Sequence, residues 1–386
     1  MTTIVDSNLP VARPSWDHSR LESRIVHLGC GAFHRAHQAL YTHHLLESTD
    51  SDWGICEVNL MPGNDRVLIE NLKKQQLLYT VAEKGAESTE LKIIGSMKEA
   101  LHPEIDGCEG ILNAMARPQT AIVSLTVTEK GYCADAASGQ LDLNNPLIKH
   151  DLENPTAPKS AIGYIVEALR LRREKGLKAF TVMSCDNVRE NGHVAKVAVL
   201  GLAQARDPQL AAWIEENVTF PCTMVDRIVP AATPETLQEI ADQLGVYDPC
   251  AIACEPFRQW VIEDNFVNGR PDWDKVGAQF VADVVPFEMM KLRMLNGSHS
   301  FLAYLGYLGG YETIADTMTN PDYRKAAFAL MMQEQAPTLS MPEGTDLNAY
   351  ATLLIERFSN PSLRHRTWQI AMDGSQKLPQ RLLDPV

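Results

Sequence analysis

A short apolar run that stops at two closely spaced glycines constrains this chain more than any other feature. The apolar residues within 25–28 indicate a buried strand, and Gly29-Cys30-Gly31 follows it directly. A helical pattern over residues 35–46 comes next. A strand, a tight glycine turn and a helix in this order are typical of the first unit of a nucleotide-binding α/β sheet.

Strands and helices alternate over most of the chain. Further buried strands are predicted at residues 53–60, 120–128 and 178–184, and a helix at residues 160–174. The segment 120–128 is rich in β-branched residues and almost uninterrupted in its apolar character, as expected of a central parallel strand covered on both faces. The alternation predicts an α/β fold with a doubly wound, Rossmann-type sheet.

The character of the sequence changes near residues 283–286. Beyond this point Met, Leu and Ala recur at helical spacing, and the turns between the helical segments are short. We therefore predict two domains. The first is a Rossmann-type NAD-binding domain over residues 1–285, and the second is a mainly α-helical domain over residues 286–386 that carries substrate-binding and catalytic residues.

The glycine loop predicts a dinucleotide site. Gly29 and Gly31 permit a tight turn and a close approach of the backbone to a pyrophosphate, and Phe33 and His34 open the following helix. His34 stands where the third glycine of the usual fingerprint would be. A purely structural turn between strand and helix is the alternative interpretation.

An acidic side chain that binds the adenosine ribose is expected about 20 residues after the loop. Glu57 and Asp65 are both candidates, and Asn59 lies between them. An acid at this position favours NAD over NADP, because it repels a 2′-phosphate.

Two polar segments follow predicted strands at their carboxyl ends, where open α/β sheets bind ligands. After the first strand, Thr126 and Thr128 are candidates to face a nicotinamide, and Glu129 is a candidate to face the substrate. A strand edge with a solvated Glu-Lys pair is the alternative. After the second strand, residues 184–187 form a polar cluster that ends in Asn187.

The segment 288–300 combines three different polar side chains on one predicted helix. Lys291 and His299 would lie about 80° apart, and Asn296 and His299 are i, i+3 neighbours. A partly buried lysine has a lowered pKa and can accept an alcohol proton near neutral pH. Asn296 can donate to the developing oxyanion, and His299 can orient the lysine or bind a neighbouring hydroxyl. An ordinary amphipathic helix is the alternative.

Composition limits the partners and the compartment. The formal net charge of −14 argues against a broad nucleic-acid or anionic-membrane interface, since both require a basic face. The eight cysteines are scattered and include no CxxC pair, and no apolar run is long enough to span a membrane, so we expect a cytoplasmic protein.

The histidines at positions 34, 37, 43 and 44 have no carboxylate at ligand spacing, and we predict no metal.

Several motifs together resemble the long-chain mannitol dehydrogenase family. The motifs are HRAHQ at 34–38, TEKGY at 128–132, CDN at 185–187, MVDRIVP at 224–230 and KLRMLNGSH at 291–299. The resemblance extends from about residue 24 to the end of the chain. Within the family, residues 255–266 and 364–381 are most similar to the D-mannonate oxidoreductase, or fructuronate reductase, subgroup.

The resemblance implies a role for each motif residue. Lys291 corresponds to the general base, and Asn187 and Asn296 correspond to the pair that stabilises the oxyanion. His299 and Asp226 are implied as substrate-site residues.

The resemblance also implies a proton path and a metal-independent reaction. Glu129 and Glu288 would line the path to Lys291. A sugar-acid substrate further requires a cation for its carboxylate, and the candidates are Arg258, Arg364, Arg366 and Lys377, with arginine favoured for its bidentate fork.

The implied function is the NAD-dependent interconversion of D-mannonate and D-fructuronate in hexuronate breakdown. A mannitol-type or tagaturonate/altronate-type dehydrogenase and a catalytically silent NAD-binding protein are the alternatives. The expected partner is a small sugar-acid substrate, and the expected oligomeric state is a monomer or a small homo-oligomer. Because family members usually continue past the motif at 373–381, the helical domain is expected to end early here.

Overall fold

The computed structural model describes residues 4–5, 8–135 and 137–383. The strands are β1 Glu22–Leu28, β2 Trp53–Val58, β3 Tyr79–Lys84, β4 Thr89–Ile94, β5 Met97–Leu101, β6 Ile122–Leu125, β7 Thr181–Ser184, β8 Thr223–Asp226, β9 Ile252–Cys254, β10 Gln259–Glu263 and β11 Gln279–Val281.

The α-helices follow in chain order. They are α1 Ala32–Ala36, α2 Gln38–Ser48, α3 Asn64–Lys74, α4 Pro103–Met115, α5 Thr128–Gly131, α6 Pro146–Glu153, α7 Ala161–Glu174, α8 Asn191–Arg206, α9 Pro208–Asn217, α10 Pro234–Leu244, α11 Val285–Met290, α12 Ser298–Leu308, α13 Ile314–Met318, α14 Pro321–Ala329, α15 Leu347–Phe358, α16 Thr367–Ala371 and α17 Gly374–Leu378. Three segments are π-helical: Lys291–Gly297, Leu330–Gln335 and Pro379–Leu383. Short 3-10 turns lie at His18–Arg20, Trp273–Val276, Ala336–Thr338 and Pro361–Leu363.

The main sheet has the strand order β5-β2-β1-β6-β7, and all its strand pairs are parallel. Ile25 in the central strand β1 pairs with Ile55 of β2 on one side and with Ile122 of β6 on the other. The chain builds the sheet outward from β1 to β5 and then outward again from β6 to β7. This reversal leaves a crevice at the carboxyl ends of β1 and β6, where doubly wound sheets bind ligands. The predicted fold class is confirmed.

Helices cover both faces of the main sheet. Val26 and Leu28 of β1 lie in a core cluster with Ile165 of α7. Ile25, on the opposite face of the strand, lies in a second cluster with Tyr41 of α2. A strand that is buried on both faces has an almost continuous apolar sequence rather than an alternating one, which explains the apolar run before the glycine loop.

Two small sheets flank the main one. The first has the order β4-β3-β9, and the second has the order β11-β10-β8. In the second, β8 and β10 are antiparallel, with Asp226 opposite Gln259. Strand β8 is an outer strand of this sheet and ends at Asp226. The predicted substrate residue Asp226 therefore lies at the carboxyl end of an edge strand.

The structure corrects two sequence predictions. The strand predicted at 120–128 is limited to Ile122–Leu125, and Thr128 adopts a φ of 63° and begins helix α5. The helix predicted at 35–46 is interrupted at His37, which has non-helical φ and ψ of −125° and −89°. His37 is completely buried, and its Nε2 donates to the carbonyl of Gln259 at 2.8 Å. In the second case a tertiary contact overrides the local helical pattern.

The part of the chain that the structure describes after β11 is helical, apart from one isolated bridge between Thr313 and Arg366. Helix α11, the π-helical segment and α12 run on as one helix from Val285 to Leu308. Its apolar side, including Met294, packs against α15 in a separate core cluster. The mainly α-helical character predicted for this region is confirmed.

The predicted domain boundary falls at the start of helix α11, which begins at Val285. The division into 1–285 and 286–386 stays a prediction, and its outermost residues, 1–3 and 384–386, lie outside the described ones. None of the described helices is both long and apolar enough to cross a membrane.

A buried ion cluster joins the helical region to the sheets. Arg357 of α15 donates to both carboxylate oxygens of Asp226, at 2.8 and 3.0 Å, and to both of Glu255, at 2.7 and 3.0 Å. All three side chains are at most 4% exposed. Burial lowers the pKa of Arg357, but the two carboxylates outweigh it and raise the pKa overall. The guanidinium therefore stays charged and is the shared cation of two buried carboxylates.

Replacing Arg357 with alanine should destabilise the protein by about 3–5 kcal/mol, because it leaves two buried carboxylates without a cation. The measurement is the free energy of unfolding in urea at neutral pH. Arg20→Ala is the control, because it breaks an ion pair to Asp50 that is exposed on both sides and should barely change stability. Equal losses in the two variants would contradict the role given to Arg357.

Candidate functional site

The glycine loop turns tightly because of Gly29. This residue has a φ of 107°, and a Cβ added to it would lie 2.1 Å from the carbonyl oxygen of Thr126. The Thr126 hydroxyl donates to the carbonyl of Gly29 at 2.7 Å, and the N–H of Cys30 donates to Oδ1 of Asn59 at 2.7 Å. Only glycine fits this conformation and this close approach.

Gly31 has a different environment. Its φ is −79°, and the nearest atom to an added Cβ is the carbonyl oxygen of Gly29, 3.9 Å away. The absence of a side chain here is therefore not required by packing among the described residues. It leaves open a cavity, here called the glycine-loop cavity, that is also lined by Phe33, His34, Thr126 and Thr128. These residues fit the predicted dinucleotide, whose pyrophosphate must approach the backbone closely.

A polar cluster lies beneath the loop. The rings of His27 and His34 are stacked with their centroids 3.4 Å apart, and His34 Nε2 lies 2.7 Å from the Glu57 carboxylate. His27 Nδ1 lies 2.7 Å from the Ser124 hydroxyl, and its Nε2 lies 2.8 Å from the Thr126 hydroxyl. Burial raises the pKa of Glu57 and lowers the pKa of both histidines. His34 therefore takes part in a buried hydrogen-bond network where a third glycine was expected.

Among the described residues, His27, His34 and Glu57 each have a ring nitrogen or carboxylate oxygen within 4.8 Å of those of the other two. Such a group is close enough together to be considered as a metal site. Two stacked rings cannot both point a ring lone pair at one ion between them, and their nitrogens are already engaged by Ser124, Thr126 and Glu57. The absence of a metal stays a prediction.

The two candidates for the ribose acid differ in their placement. Glu57 is completely buried and contacts His34, so it does not face the glycine-loop cavity. Asp65 lies in the first turn of α3, beyond the carboxyl end of β2, and is half-buried. Burial raises its pKa. Asp65 remains the candidate for the ribose, and this assignment stays a prediction.

Asp186 holds the strained turn after β6. Its carboxylate accepts from the N–H groups of Val127 and Thr128 at 3.1 and 2.8 Å and from the Tyr132 hydroxyl at 2.6 Å. A β-branched residue at positive φ is unfavourable unless its surroundings hold it there. The two backbone hydrogen bonds provide that restraint, and they direct Thr128 and Glu129 toward the cavities.

Lys291 lies between two cavities. It lines the glycine-loop cavity and a second one, here called the C-terminal cavity, whose lining includes Asn187, Glu288, Asn296, Lys377 and Arg381. Its Nζ donates to Oδ1 of Asn187. Burial is the main reason why the pKa of Lys291 is lowered. A lysine with a lowered pKa can act as a base near neutral pH.

The π-helical segment decides which side chains accompany Lys291. In a regular α-helix, Lys291 and Asn296 would point about 140° apart, whereas residues i and i+5 lie over each other in a π-helix. Both residues line the C-terminal cavity. His299 instead packs within the helical region, stacked on Phe358 at 5.3 Å and next to His365 at 4.8 Å. His299 does not line either cavity, and its predicted place beside Lys291 and the substrate stays a prediction.

The predicted proton-path residues lie at the C-terminal cavity. Glu129 lines both cavities and is exposed. Glu288 is half-buried and accepts from the N–H of Glu190 at 2.8 Å, and burial raises its pKa. Asp226 lines the glycine-loop cavity with Arg357 bound to its carboxylate.

Of the four cations predicted for the substrate carboxylate, Lys377 alone is found in the lining of the two cavities. Arg364 and Arg366 are exposed elsewhere, and Arg258 lies over the ring of Tyr41. Arg357 and Arg381 were not among the predicted site residues, because in the sequence each looks like an ordinary surface charge of a helix. The one sequence signal for Arg381 is its place at the end of segment 364–381, which carries part of the family resemblance.

Two family models match almost the whole chain. The mannitol dehydrogenase Rossmann domain matches residues 23–275, and the mannitol dehydrogenase C-terminal domain matches residues 283–386. The chain belongs to the mannitol dehydrogenase family. The resemblance to this family predicted from the motifs is confirmed, and the chain is an oxidoreductase of the polyol dehydrogenase type. The similarity to the fructuronate reductase subgroup stays a prediction.

Solved structures of the mannitol dehydrogenase family share this fold. A D-sorbitol dehydrogenase in substrate-free form is 40% identical with a TM-score of 0.94, and the match covers 98% of this chain and 78% of that one. The Pseudomonas fluorescens mannitol 2-dehydrogenase, in a ternary complex with NAD and D-mannitol, is 42% identical with a TM-score of 0.89 and coverages of 98% and 77%. The NAD predicted for this chain agrees with the cofactor of that complex.

A relative from Escherichia coli strain K12, the uncharacterised oxidoreductase YeiQ, is 59% identical over 385 residues. The match covers 99% of this chain and 78% of YeiQ. The similarity thus includes both the glycine loop and the segment that carries Lys291.

Exchanging Gly31 or Gly29 for alanine should affect two different properties, NADH binding and thermal stability. Gly31→Ala should keep the melting temperature but weaken NADH binding about tenfold or more, because the added methyl enters the glycine-loop cavity. Gly29→Ala should lower the melting temperature, because its Cβ meets the Thr126 carbonyl. Fluorescence titration with NADH and thermal unfolding measure the two effects.

The control is Gly110→Ala in helix α4, where an added Cβ makes ordinary contact at 3.4 Å. It should leave NADH affinity unchanged and should not lower the melting temperature, because alanine is favoured over glycine in a helix. Unchanged NADH affinity in Gly31→Ala would show that the dinucleotide does not pass this residue.

Proposed function

We propose that the protein is an NAD-dependent dehydrogenase that interconverts D-mannonate and D-fructuronate, with Lys291 as the general base. The observation that carries the proposal is the position of Lys291, buried in the wall shared by the two cavities and in contact with Asn187. A base between a dinucleotide site and a polar cavity suits removal of a hydroxyl proton beside the nicotinamide.

In the oxidative direction, neutral Lys291 takes the proton of the C5 hydroxyl of D-mannonate. The amide N–H groups of Asn187 and Asn296 donate to the same oxygen as its negative charge develops. No hydrogen bond to the Asn296 side chain is found among the described residues, so this amide is available for substrate. In the reverse direction, protonated Lys291 returns the proton to the fructuronate carbonyl oxygen.

The cofactor is held by the glycine loop, with Gly31, Phe33 and Thr126 at its cavity and Asp65 as the proposed ribose acid. NAD, when bound, supplies the hydride acceptor of the reaction. The residues of the chain position the alcohol, remove its proton and exclude water from the buried side of Lys291.

The proton that Lys291 gains must leave before the next turnover. Glu288 and Glu129 line the C-terminal cavity between Lys291 and solvent, and the first is half-buried while the second is exposed. Burial raises the pKa of Glu288, so this carboxyl group takes up a proton more readily than an exposed glutamate does. We assign these two carboxylates to the proton path.

A polyol dehydrogenase is the second candidate, favoured by the 42% identity to a mannitol 2-dehydrogenase. The C-terminal cavity is lined by four carboxylates and by four cations, and the sugar-acid substrate is favoured by two of these cations, Lys377 and Arg381. A carboxylate gains from these charges, whereas an uncharged polyol does not.

The first test is NADH oxidation with D-fructuronate, D-tagaturonate and D-fructose as competing substrates. Fructuronate should be reduced with the highest kcat/KM. Lys291→Ala should lower kcat by about 10²–10⁴-fold while NADH still binds, because only the proton transfer is lost. Lys325→Ala, an exposed lysine of α14, should behave like the unaltered chain.

Preference for fructose would support the polyol dehydrogenase, and preference for tagaturonate would support a related sugar-acid enzyme. NADH binding without reduction of any of the three would support a catalytically silent NAD-binding protein.

The pH dependence should differ between the two directions. Because the pKa of Lys291 is lowered, alcohol oxidation should rise with pH through that pKa and level off below pH 10.5, the ordinary value for lysine. Ketone reduction requires the protonated lysine and should fall as pH passes through the same pKa. Steady-state rates from pH 5 to 10 measure both limbs, and an oxidative rate that is independent of pH would contradict a lysine base.

A further inference from the structure

A half-buried arginine at the C-terminal cavity has no counter-ion among the described residues. Arg381 lies in the π-helical turn Pro379–Leu383 and lines the cavity with Lys291. One of its terminal nitrogens, Nη1, donates to the Ser300 hydroxyl at 3.1 Å. No carboxylate lies within ion-pair distance of Arg381 in the part of the chain that the structure describes. Burial lowers the pKa of this guanidinium.

Three other buried arginines have more polar partners than Arg381. Arg357 contacts two carboxylates, Arg227 contacts Glu83, and Arg172 donates to three backbone carbonyls. A guanidinium carries five N–H donors, and among the described residues a single hydroxyl accepts from the Arg381 side chain. A cation that is partly removed from water without a partner is unfavourable by itself, and an anion that enters the cavity relieves this cost.

The remaining cations of the cavity already have partners. Lys377 donates to the carbonyl of Met372 at 2.8 Å and lies 3.8 Å from the Asp373 carboxylate. Arg189 lies 4.0 Å from the Glu190 carboxylate and is mostly exposed. Of these three cations, Arg381 is the one whose charge and donors are not already matched within the described chain.

The position of Arg381 is fixed relative to the catalytic base. A Cβ added to Gly297 would lie 2.6 Å from the carbonyl oxygen of Arg381, so the two π-helical segments pack in direct contact. Gly297 belongs to the same segment as Lys291. Burial is the main cause of the lowered pKa of Lys291, and the positive charge of Arg381 adds to it. The two cations therefore line the same cavity.

We propose that Arg381 binds the carboxylate of the substrate and thereby makes the enzyme prefer a sugar acid to an uncharged polyol. The planar fork of arginine matches a carboxylate with two parallel hydrogen bonds. This inference rests on the proposed function and names the residue that determines its substrate class. Lys377 contributes charge at the same cavity but does not offer the fork.

The test compares D-mannonate with D-mannitol as substrates, with NAD, in Arg381→Gln and Arg381→Lys. Arg381→Gln should raise the KM for mannonate by about 10–100-fold, the effect of losing a charged hydrogen bond, while kcat changes much less. The kcat/KM for mannitol should stay the same or improve. Arg381→Lys should recover part of the affinity, because it restores the charge without the fork.

Lys325→Gln is the control, because it removes one positive charge from the exposed surface of α14 and should change no constant. Melting temperature and NADH affinity are measured for every variant, so that a folding defect is recognised by a loss with both substrates.

An unchanged KM for mannonate in Arg381→Gln, or an equal loss with mannonate and mannitol, would overturn the inference while leaving the proposed function intact. Failure of the unaltered chain to oxidise mannonate would overturn both.

Discussion

The contact of Arg357 with Asp226 and Glu255 determines how the two halves of the molecule meet. The helical half contributes Lys291 and Asn296, whereas Asn187 and the glycine loop belong to the sheet half. Three buried charges are tolerated together because one guanidinium satisfies both carboxylates bidentately. The active-site geometry therefore depends on an ion cluster that takes no part in proton transfer itself.

A second constraint is the π-helical segment Lys291–Gly297. A π-helix is less favourable than an α-helix, and single turns of it are frequent at functional sites. Here the wider turn places Lys291 and Asn296 at the same cavity, five residues apart, while the preceding and following helical turns keep apolar residues in the core. His299, beyond the segment, packs against Phe358 instead.

The glycine loop depends on buried polar groups as much as on its glycines. Asn59 accepts from the loop backbone, and the Thr126 hydroxyl donates to it. His34 and Glu57 form a hydrogen-bonded pair below. An unpaired polar group in a low dielectric is costly. Glu57 Oε2 is buried without a hydrogen-bond partner among the described residues, and burial raises the pKa of this carboxyl. A histidine at the position of the third glycine is therefore a structural substitute and not a defect of the fingerprint.

The sequence by itself determined the order of strands and helices, the Rossmann-type sheet, and the polar residues Lys291, Asn187 and Asn296 as candidates, since these follow from local periodicity and motifs. Tertiary structure alone decided which charges are buried and what each one faces. It enclosed Glu57 against His34 and paired Arg357 with acids more than 100 residues away in the chain. It left Arg381 without a counter-ion in the part of the chain that the structure describes. The physical reason is that burial and charge pairing depend on contacts between distant segments, which local sequence patterns do not contain.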